Sequence, residues 1–289
     1  MGKKIGFVCD STADFPPGMI KDLKLHILPV HIIVDDKDYL HGVSIDNREV
    51  ITRLKQKRDV HTKPFYPVEC ADFFEDLLQH YDHIVSFHIS HHLSGNYRSA
   101  MNALDLMFKE DAKRVTVMDL GSVSVSLGLV VKAAVALMAE DDDVSTLAER
   151  LKPCIDNTFM GFTVENLTWL KKGGRVGAFA AFVGGMLDIK PIIHLNEAKL
   201  IPMEKHRGKK PALKRLVSMA ADRCLELKGK CDIWLAYADN LSEVMLTREK
   251  LAAAVGRNVD AIKMVEVGAT IAVHTGPGSV CIAMTPSGG

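Results

Sequence analysis

The 289-residue sequence lacks long hydrophobic runs and lacks an excess of either charge. No stretch reaches the ~18 consecutive apolar residues of a membrane-spanning helix, and the first apolar run, Ile5–Cys9, is too short for a signal peptide. Lysine and arginine together number 36, as do aspartate and glutamate, so the charge indicates neither a nucleic-acid partner nor disorder. We therefore expect a globular protein of the cytoplasm.

Cysteine and histidine are present, but not in the spacings of disulfide or metal sites. The six cysteines include no C-x-x-C pair, which argues against a disulfide framework and a zinc site. The twelve histidines show no ligand spacing with carboxylates or thiols. We expect reduced thiols, no metal and no cofactor.

Length and composition are those of an ordinary globular protein, with 47% hydrophobic and 25% charged residues. At a rough prior of one domain per ~150 residues, the chain allows two domains. Apolar runs alternate with helical patterns in the first half, which predicts an α/β unit with a parallel sheet. A hairpin and further strands in the second half favour a mixed sheet with helices on one side. We expect the two domains to span residues 1–155 and 156–289.

A polar loop in the first half is the most informative segment. The apolar run Ile84–Phe87 predicts a strand, and the spacing of Ala100, Leu104 and Met107 predicts a helix after it. The loop between them lies at the carboxyl end of its strand, where open parallel sheets bind ligands. Ser94 would stand near the helix start, where free N–H groups favour a carboxylate or phosphate. The alternative is that Ser94 only caps the helix.

Two other segments of the first half carry polar side chains beside predicted strands. Asp10 and Ser11 follow the strand Ile5–Cys9 and either position a neighbouring loop or cap the next helix. Thr62 precedes two prolines that exclude a regular helix, so we expect it on a loop. The region Leu25–Val34 predicts a second strand that ends at a turn over residues 35–38.

The second half contains three further segments of interest. A helix over residues 165–172 is halted by Gly173-Gly174 and followed directly by Arg175. A basic run over residues 204–210 indicates either a solvated face or a site for an anion or an acidic partner. His274 stands among small residues before a Gly-Pro-Gly turn, with little to pack against it, so we favour a site residue over a core histidine.

Several motifs occur together in one order. They are Asp10-Ser11-Thr12-Ala13-Asp14, Thr62, Leu93-Ser94-Gly95-Asn96-Tyr97, Leu170-Lys171-Lys172-Gly173-Gly174-Arg175-Val176, Ile189-Lys190-Pro191, Lys205-His206-Arg207 and His274-Thr275-Gly276-Pro277-Gly278. Each is weak alone, but as a set, from residue 5 to about residue 285, the sequence resembles the DegV family of bacterial fatty-acid-binding proteins.

The resemblance implies a fold and a function. The fold would be an N-terminal three-layer domain with a parallel sheet and a C-terminal two-layer domain with a mixed sheet, with a lipid-binding tunnel near their interface. The ligand would be a long-chain fatty acid such as palmitate, stearate or oleate. The chain would be the carrier subunit of a fatty acid kinase, presenting the carboxylate to a separate ATP-using subunit that makes an acyl phosphate. Transient membrane contact would accompany this role, and no nucleic acid would be bound.

The resemblance also implies site residues. Thr62 and Ser94, with Gly95 beside them, would hold the carboxylate, and His274 would complete the seat from the second domain. Arg175 and Arg207 would lie by the opening and hold the new phosphate or dock the kinase. Hydroxyls suit a carboxylate because they donate without adding a counter-charge, and arginine offers a planar fork to phosphate.

This sequence departs from the family pattern at three places. The usual Thr-Ser-Gln-Pro-Ser stretch is here Thr62-Lys63-Pro64-Phe65-Tyr66, and Asp119-Leu120 stands where Asp-Ser is common. His91-His92 replace small residues in the polar loop, so with Lys63 they would make the pocket mouth more cationic. The apolar segment Phe179–Leu187, with Gly184-Gly185, would form one wall of the tunnel.

Two other classes of function stay open. Ser94 and His274, oriented by Asp119, could serve acyl hydrolysis, although the chain lacks the G-x-S-x-G nucleophile elbow. A scaffold without ligand is the third class. The absence of a Walker loop argues against an ATP-using kinase on this chain alone.

Overall fold

A computed structural model describes residues 3–175 and 188–287 of the chain. Its strands are β1 (Ile5–Asp10), β2 (Leu25–Leu28), β3 (His31–Val34), β4 (Lys37–Leu40), β5 (Val60–Lys63), β6 (His83–His88), β7 (Val115–Asp119), β8 (Phe159–Thr163), β9 (Ile189–Asn196), β10 (Lys199–Arg207), β11 (Cys231–Tyr237), β12 (Ile262–Glu266) and β13 (Val280–Pro286). Its α-helices are α1 (Met19–Asp22), α2 (Asn47–Lys55), α3 (Pro67–Leu78), α4 (Asn96–Leu104), α5 (Lys109–Ala112), α6 (Ser124–Glu140), α7 (Leu147–Asn157), α8 (Thr168–Lys172), α9 (Lys209–Glu226), α10 (Leu241–Ala254) and α11 (Ala269–Thr275).

The first half is built on a parallel sheet with the strand order β2-β1-β6-β7. Neighbouring side chains of a strand point to opposite faces. Val8 of β1 therefore joins the cluster formed with α3 and α4, while Cys9 joins the core on the other face. This arrangement confirms the α/β prediction and brings the carboxyl ends of β1 and β6 together.

A small antiparallel sheet with the order β4-β3-β5 adjoins the parallel one. The predicted strand region Leu25–Val34 divides into two strands at Pro29, which has no N–H to continue a ladder. Thr62 lies within β5, opposite Ile32 of β3, so its prediction as a loop residue is wrong. Pro64 excludes helix but is compatible with an extended residue before it.

The second half contains a mixed sheet with the order β10-β9-β8-β13-β11-β12. Only the β11–β12 pair is parallel among these described pairings. Ile233 and Leu235 of β11 face α9 and α10, whereas Trp234 and Ala236 face the core that α6 shares. The strands predicted for this half are confirmed. Its helices α9 and α10 cover one face of the sheet, as predicted, while α6 and α7, which precede this half in the chain, cover the other face.

Helix α6 lies in the core that both halves share. Its residues Val125, Leu127, Leu129, Val130 and Val131 are all 0% exposed, as expected of a helix that is apolar around its circumference. The helix contacts β11 and β13, and its residues share one cluster with Cys9 and Phe87 of the parallel sheet. The two halves thus have a continuous core, and the boundary predicted after residue 155 falls inside α7 and stays a prediction.

Helix α11 of the second half packs on α2 and β5 of the first half. Because β5 carries Thr62 and α11 carries His274, this packing brings together two predicted site residues that are distant in sequence. The helix predicted from residue 165 begins instead at Thr168, whose N–H donates to Asn166 Oδ1 at 3.0 Å. The predicted tunnel wall Phe179–Leu187 lies outside the described residues. Within residues 3–175 and 188–287, no helix has the length and apolar character needed to cross a membrane.

Candidate functional site

A cavity lies between the two halves of the chain, at the carboxyl ends of β1, β5 and β6. It encloses about 820 Å³ of space free of protein atoms, part of which is open to solvent. Ligand pockets for small molecules are typically lined mostly by apolar side chains. The described apolar lining comprises Val30, Pro64, Ile89, Leu93, Val123, Met160, Phe162, Leu170, Leu200, Val267, Ile271 and Cys281.

Several hydroxyl residues in the wall are already bonded within the protein. Thr12 Oγ1 donates to Asp10, and Ser124 Oγ donates to Asp14. Thr270 Oγ1 pairs with His41 Nδ1 at 2.9 Å, Ser279 Oγ pairs with Thr275 Oγ1 at 3.1 Å, and Thr275 Oγ1 donates to the carbonyl of Ile271 at 3.2 Å. These residues have little bonding capacity left for a ligand, so most of the wall behaves as an apolar surface.

The remaining polar lining gathers four predicted site residues: Thr62, Ser94, Arg175 and His274. Thr62 Oγ1 and His274 Nε2 form a hydrogen bond of 2.9 Å. Ser94 Oγ accepts from the N–H of Asn96 at 3.3 Å, and its own hydrogen has no acceptor within the described part of the chain. The structure therefore leaves a hydroxyl donor free beside an imidazole and a guanidinium.

His274 is an uncharged imidazole at neutral pH. Burial, together with the positive charge of Arg175, lowers its pKa to about 3. Its Nδ1 is buried without a hydrogen-bond partner among the described residues, and it lies so close to Gly173 that a Cβ there would be 2.2 Å away. The ring therefore offers Nε2 to Thr62 while Nδ1 packs against a residue without a side chain.

Arg175 supplies the permanent charge of this group. Its Nε donates to the carbonyl of Leu93 at 3.0 Å and its Nη1 donates to the carbonyl of Gly173. Burial lowers the pKa of Arg175, but a guanidinium keeps its charge in proteins. Within residues 3–175 and 188–287 no carboxylate forms an ion pair with it, so an anion bound here would be its first partner of opposite charge.

A cationic groove continues from the cavity and shares Leu93, Ser94, Arg175 and Leu200 with it. Its other described lining residues are His91, His92, Gly95, Tyr97, Arg98, Met101, Gly174, Lys199 and Ile201, with no carboxylate among them. No ion-pair partner is found for Arg98 or Lys199 among the described residues. Gly95, predicted in the carboxylate seat, therefore lies at the groove, with Pro64 packed against it.

Other predicted residues take different places. Arg207 is exposed at the end of β10 and does not line the described part of the cavity or the groove. Asp10 accepts from the N–H of Ile89 at 3.1 Å and Ser11 Oγ accepts from the N–H of Val30 at 2.9 Å, so both position neighbouring segments. Gly95 is the N-cap of helix α4, and the side chain of Ser94 makes, among the described residues, only the 3.3 Å contact to the N–H of Asn96.

Sequence reasoning missed Arg98 and Lys199 as residues of the groove. Arg98 lies in the first turn of α4, only four residues after Ser94, and this nearness in sequence to the polar loop was the available signal. Lys199 had no such signal, because only the pairing of β10 with β9 brings it to the groove.

The geometry does not form the dyad that acyl hydrolysis requires. His274 Nε2 bonds to Thr62 and not to Ser94. Asp119 bonds to His91 through its carboxylate, so it does not orient His274. With a pKa near 3, His274 is also a poor general base at neutral pH. In the described ranges, no group of three or more His, Cys, Asp or Glu side chains could hold a metal ion.

The chain is similar in sequence and in fold to proteins that are already known. A family model described as "Uncharacterised protein, DegV family" matches residues 4–287. A DegV domain-containing protein of Clostridium acetobutylicum is 30% identical over 280 residues, covering 96% of each chain. A Thermus thermophilus structure reported as fatty acid binding of a DegV family protein has 28% identity and a TM-score of 0.87, covering 98% of this chain and 99% of that chain. A fatty acid binding DegV family protein of Streptococcus agalactiae has 25% identity and a TM-score of 0.87, covering 99% and 100%.

Proposed function

The chain belongs to the DegV family, and on that premise we propose that it binds a long-chain fatty acid in the cavity, with the carboxylate at Thr62, Ser94 and His274. The observation that carries this proposal is the distribution of free polar groups. Most wall hydroxyls are bonded within the protein, whereas Thr62 and Ser94 keep hydroxyl hydrogens free for a ligand and Arg175 keeps a charge without an ion-pair partner among the described residues, all at one end of the cavity. A ligand with one anionic head and a long apolar tail matches this distribution.

The head group would be held by oriented hydroxyl donors. We infer that His274 carries its proton on Nε2, because a proton on Nδ1 would be buried without an acceptor. His274 then donates to Thr62 Oγ1, which leaves the Thr62 hydrogen free to donate to a carboxylate oxygen. Ser94 donates to the other oxygen, and Arg175 supplies the counter-charge. An ionised carboxylate accepts only, so it fits this set of donors.

The tail would supply most of the binding free energy. Each methylene transferred from water into an apolar wall contributes about 0.8 kcal/mol. Hydrogen bonds of the head group contribute about 1.5–3 kcal/mol each when one partner is charged. Palmitate, stearate and oleate all have tails long enough for the binding free energy of the tail to exceed that of the head group. The polar end would mainly set the orientation of the ligand.

Presentation to a separate ATP-using kinase subunit is the second part of the proposal. The carboxylate end of the cavity adjoins the cationic groove, where Arg98, Arg175 and Lys199 have no carboxylate partner among the described residues. An acyl phosphate carries more negative charge than a fatty acid, so this groove would stabilise the product of phosphorylation. Arg207 is exposed and would contact the kinase, and Lys63 at the mouth would favour transient contact with an anionic membrane. This work would take place in the cytoplasm.

The first test is native mass spectrometry of the purified protein, followed by denaturing extraction. We expect one fatty acid bound per chain, and a lower affinity of about tenfold in Ser94→Ala because one charge-assisted hydrogen bond is lost. Ser99→Ala is the matched control, since Ser99 lies on α4 outside the cavity lining. An empty protein that also takes up no added fatty acid would overturn the proposal.

Replacing Gly173 by alanine is expected to weaken fatty acid binding by about tenfold or more, because the new Cβ displaces His274 from Thr62. The backbone itself accepts alanine, since Gly173 has a φ of −73°. We therefore attribute the expected loss of affinity to the clash between the new Cβ and His274 Nδ1, which lies 2.2 Å from the Cβ position. Displacement of a fluorescent fatty acid measures the affinity.

Gly174→Ala is the control for that substitution. Gly174 has a φ of 72° but no atom within 4 Å of its Cβ position, so it should lose stability and keep its affinity. Equal affinities for both variants would show that Gly173 does not seat His274.

Removing two groove cations is expected to slow acyl phosphate formation with little change in fatty acid binding. We propose the double variant Arg98→Ala with Lys199→Ala, measured with ATP and the kinase catalytic subunit. The control is Lys214→Ala with Lys250→Ala, which removes the same charge from the exposed faces of α9 and α10. We expect a loss of about tenfold in turnover for the groove variant alone. An equal loss in both variants would attribute the effect to net charge.

A further inference from the structure

The amino end of α11 is held by side chains from the other half of the chain. The N–H of Gly268 donates to Asp14 Oδ1 at 2.9 Å, and the N–H of Ala269 donates to Asn47 Oδ1 at 2.7 Å. The first N–H groups of a helix have no partner within the helix and need one from outside. Here the partners come from segments more than two hundred residues earlier in the chain.

His41 links this contact to the side chain of Thr270. Its Nε2 lies 3.2 Å from Asn47 Oδ1 and its Nδ1 lies 2.9 Å from Thr270 Oγ1. Burial lowers the pKa of His41, so the ring is neutral. A neutral ring that donates from Nε2 to Asn47 accepts from Thr270 at Nδ1. Its protonated Nε2 cannot also accept from the N–H of Ala269, 3.2 Å away, so Asn47 Oδ1 is the acceptor for that N–H.

The position of α11 determines the position of the predicted head-group site. Thr270, Ile271, His274 and Thr275 of this helix all line the cavity. Thr270 and His274 are four residues apart and lie on the same helical face. A rotation or shift of α11 that separates Thr270 from His41 therefore also moves His274 away from Thr62.

We propose that Asn47 is a positioning residue for the carboxylate seat: by binding Ala269 and His41 it fixes α11 so that His274 meets Thr62. Asn47 itself is not among the described residues that line the cavity. Its effect on the ligand would be carried entirely by the helix. This inference rests on the proposed function only for its binding readout.

The test compares Asn47→Ala with Asp46→Ala. Asp46 is the N-cap of α2, accepts from the N–H of Glu49 at 2.8 Å and makes no contact with α11 in the hydrogen bonds of the described chain. Both variants lose a polar contact at the start of the same helix, but only Asn47→Ala removes the nearer acceptor of the Ala269 N–H, which leaves that N–H with His41 Nε2 at 3.2 Å. The first readout is the ¹⁵N chemical shift of the His274 ring in the ligand-free protein. The signal of this ring is assigned as the one that is absent from the spectrum of His274→Gln. The second is the Kd for oleate.

We expect Asn47→Ala to shift the His274 ring signal and to raise the Kd about tenfold, while Asp46→Ala leaves both unchanged. Asn47→Asp keeps an acceptor for Ala269 and His41 and should restore both readouts. An unchanged His274 signal in Asn47→Ala, or the same changes in Asp46→Ala, would overturn the inference. If wild-type protein binds no fatty acid, the proposed function fails, whereas the ring signal still decides the role of Asn47.

Discussion

Replacing Asp14 by asparagine is expected to remove a pH dependence of stability of about 4 kcal/mol, the largest single effect on folding that we expect from one side chain. Asp14 is 5% exposed, accepts from Ser124 and Gly268, and joins the two halves of the chain. Burial raises its pKa to about 7, against the hydrogen bonds from Ser124 and Gly268, which act to lower it.

The sign of the effect follows from proton binding. Between pH 4 and pH 7 the folded protein keeps a proton on Asp14 that the unfolded chain has released. The free energy of unfolding therefore falls as the pH rises through this window, at about 1.4 kcal/mol per pH unit. Asparagine stays neutral at every pH and keeps an acceptor oxygen for Gly268, so its variant should gain stability over wild type above pH 7.

Urea denaturation at pH 5, 6, 7 and 8 measures this difference. The protein contains other groups that titrate in this range, since it has twelve histidines. The free energy of unfolding of the variant is therefore subtracted from that of wild type at each pH. Asp22→Asn, at an exposed position on α1, controls for the loss of one carboxylate. If the free energies of unfolding of wild type and Asp14→Asn change in parallel with pH, Asp14 is ionised in the folded protein at every pH from 5 to 8 and the prediction is wrong.

Affinity is expected to rise about fourfold with each methylene of the fatty acid until the tail fills the cavity. From decanoate to palmitate the gain is about 5 kcal/mol, or roughly a thousandfold or more. The reason is the composition of the wall, which is formed mainly by apolar side chains such as Ile89, Met160, Phe162 and Ile271. Wall hydroxyls such as that of Ser124 are bonded to protein partners and do not offset this gain.

Competition with a fluorescent fatty acid over chains of eight to eighteen carbons measures this slope. Hexadecanol is the matched control, because it keeps the tail and loses the carboxylate. It should bind within about a hundredfold of palmitate if the head group contributes only a few hydrogen bonds. An affinity that does not depend on chain length would place the tail outside the cavity and limit binding to the head-group end.

Asp14 acts on the junction between the halves, where it binds the N–H of Gly268 at the start of α11. The chain-length series tests the apolar wall that the junction closes. Gly268 has no room for a side chain here, since a Cβ would lie 2.5 Å from Asp14 Oδ1, and this explains a glycine at the position.

Local features of the sequence were sufficient to predict most elements and the strand-end residues. An apolar run such as Ile84–Phe87 followed by a polar loop predicts a buried strand, because apolar spacing reflects burial directly. Ser94 and Arg175 both follow predicted elements; the polar loop itself indicates Ser94 as a site residue, whereas only the family resemblance indicates Arg175. The structure brings both to the same cavity.

Tertiary contacts decided the rest. Thr62 lies in a strand because β3 pairs with β5, a contact that no local period of the sequence encodes. Lys199 reaches the groove through a hairpin register, while Arg207 at the far end of the same strand does not. The sequence by itself determined which segments are apolar and where strands end, since those properties depend on neighbouring residues. Only the tertiary structure decided that Thr62 meets His274, because that contact requires two distant segments to pack against each other.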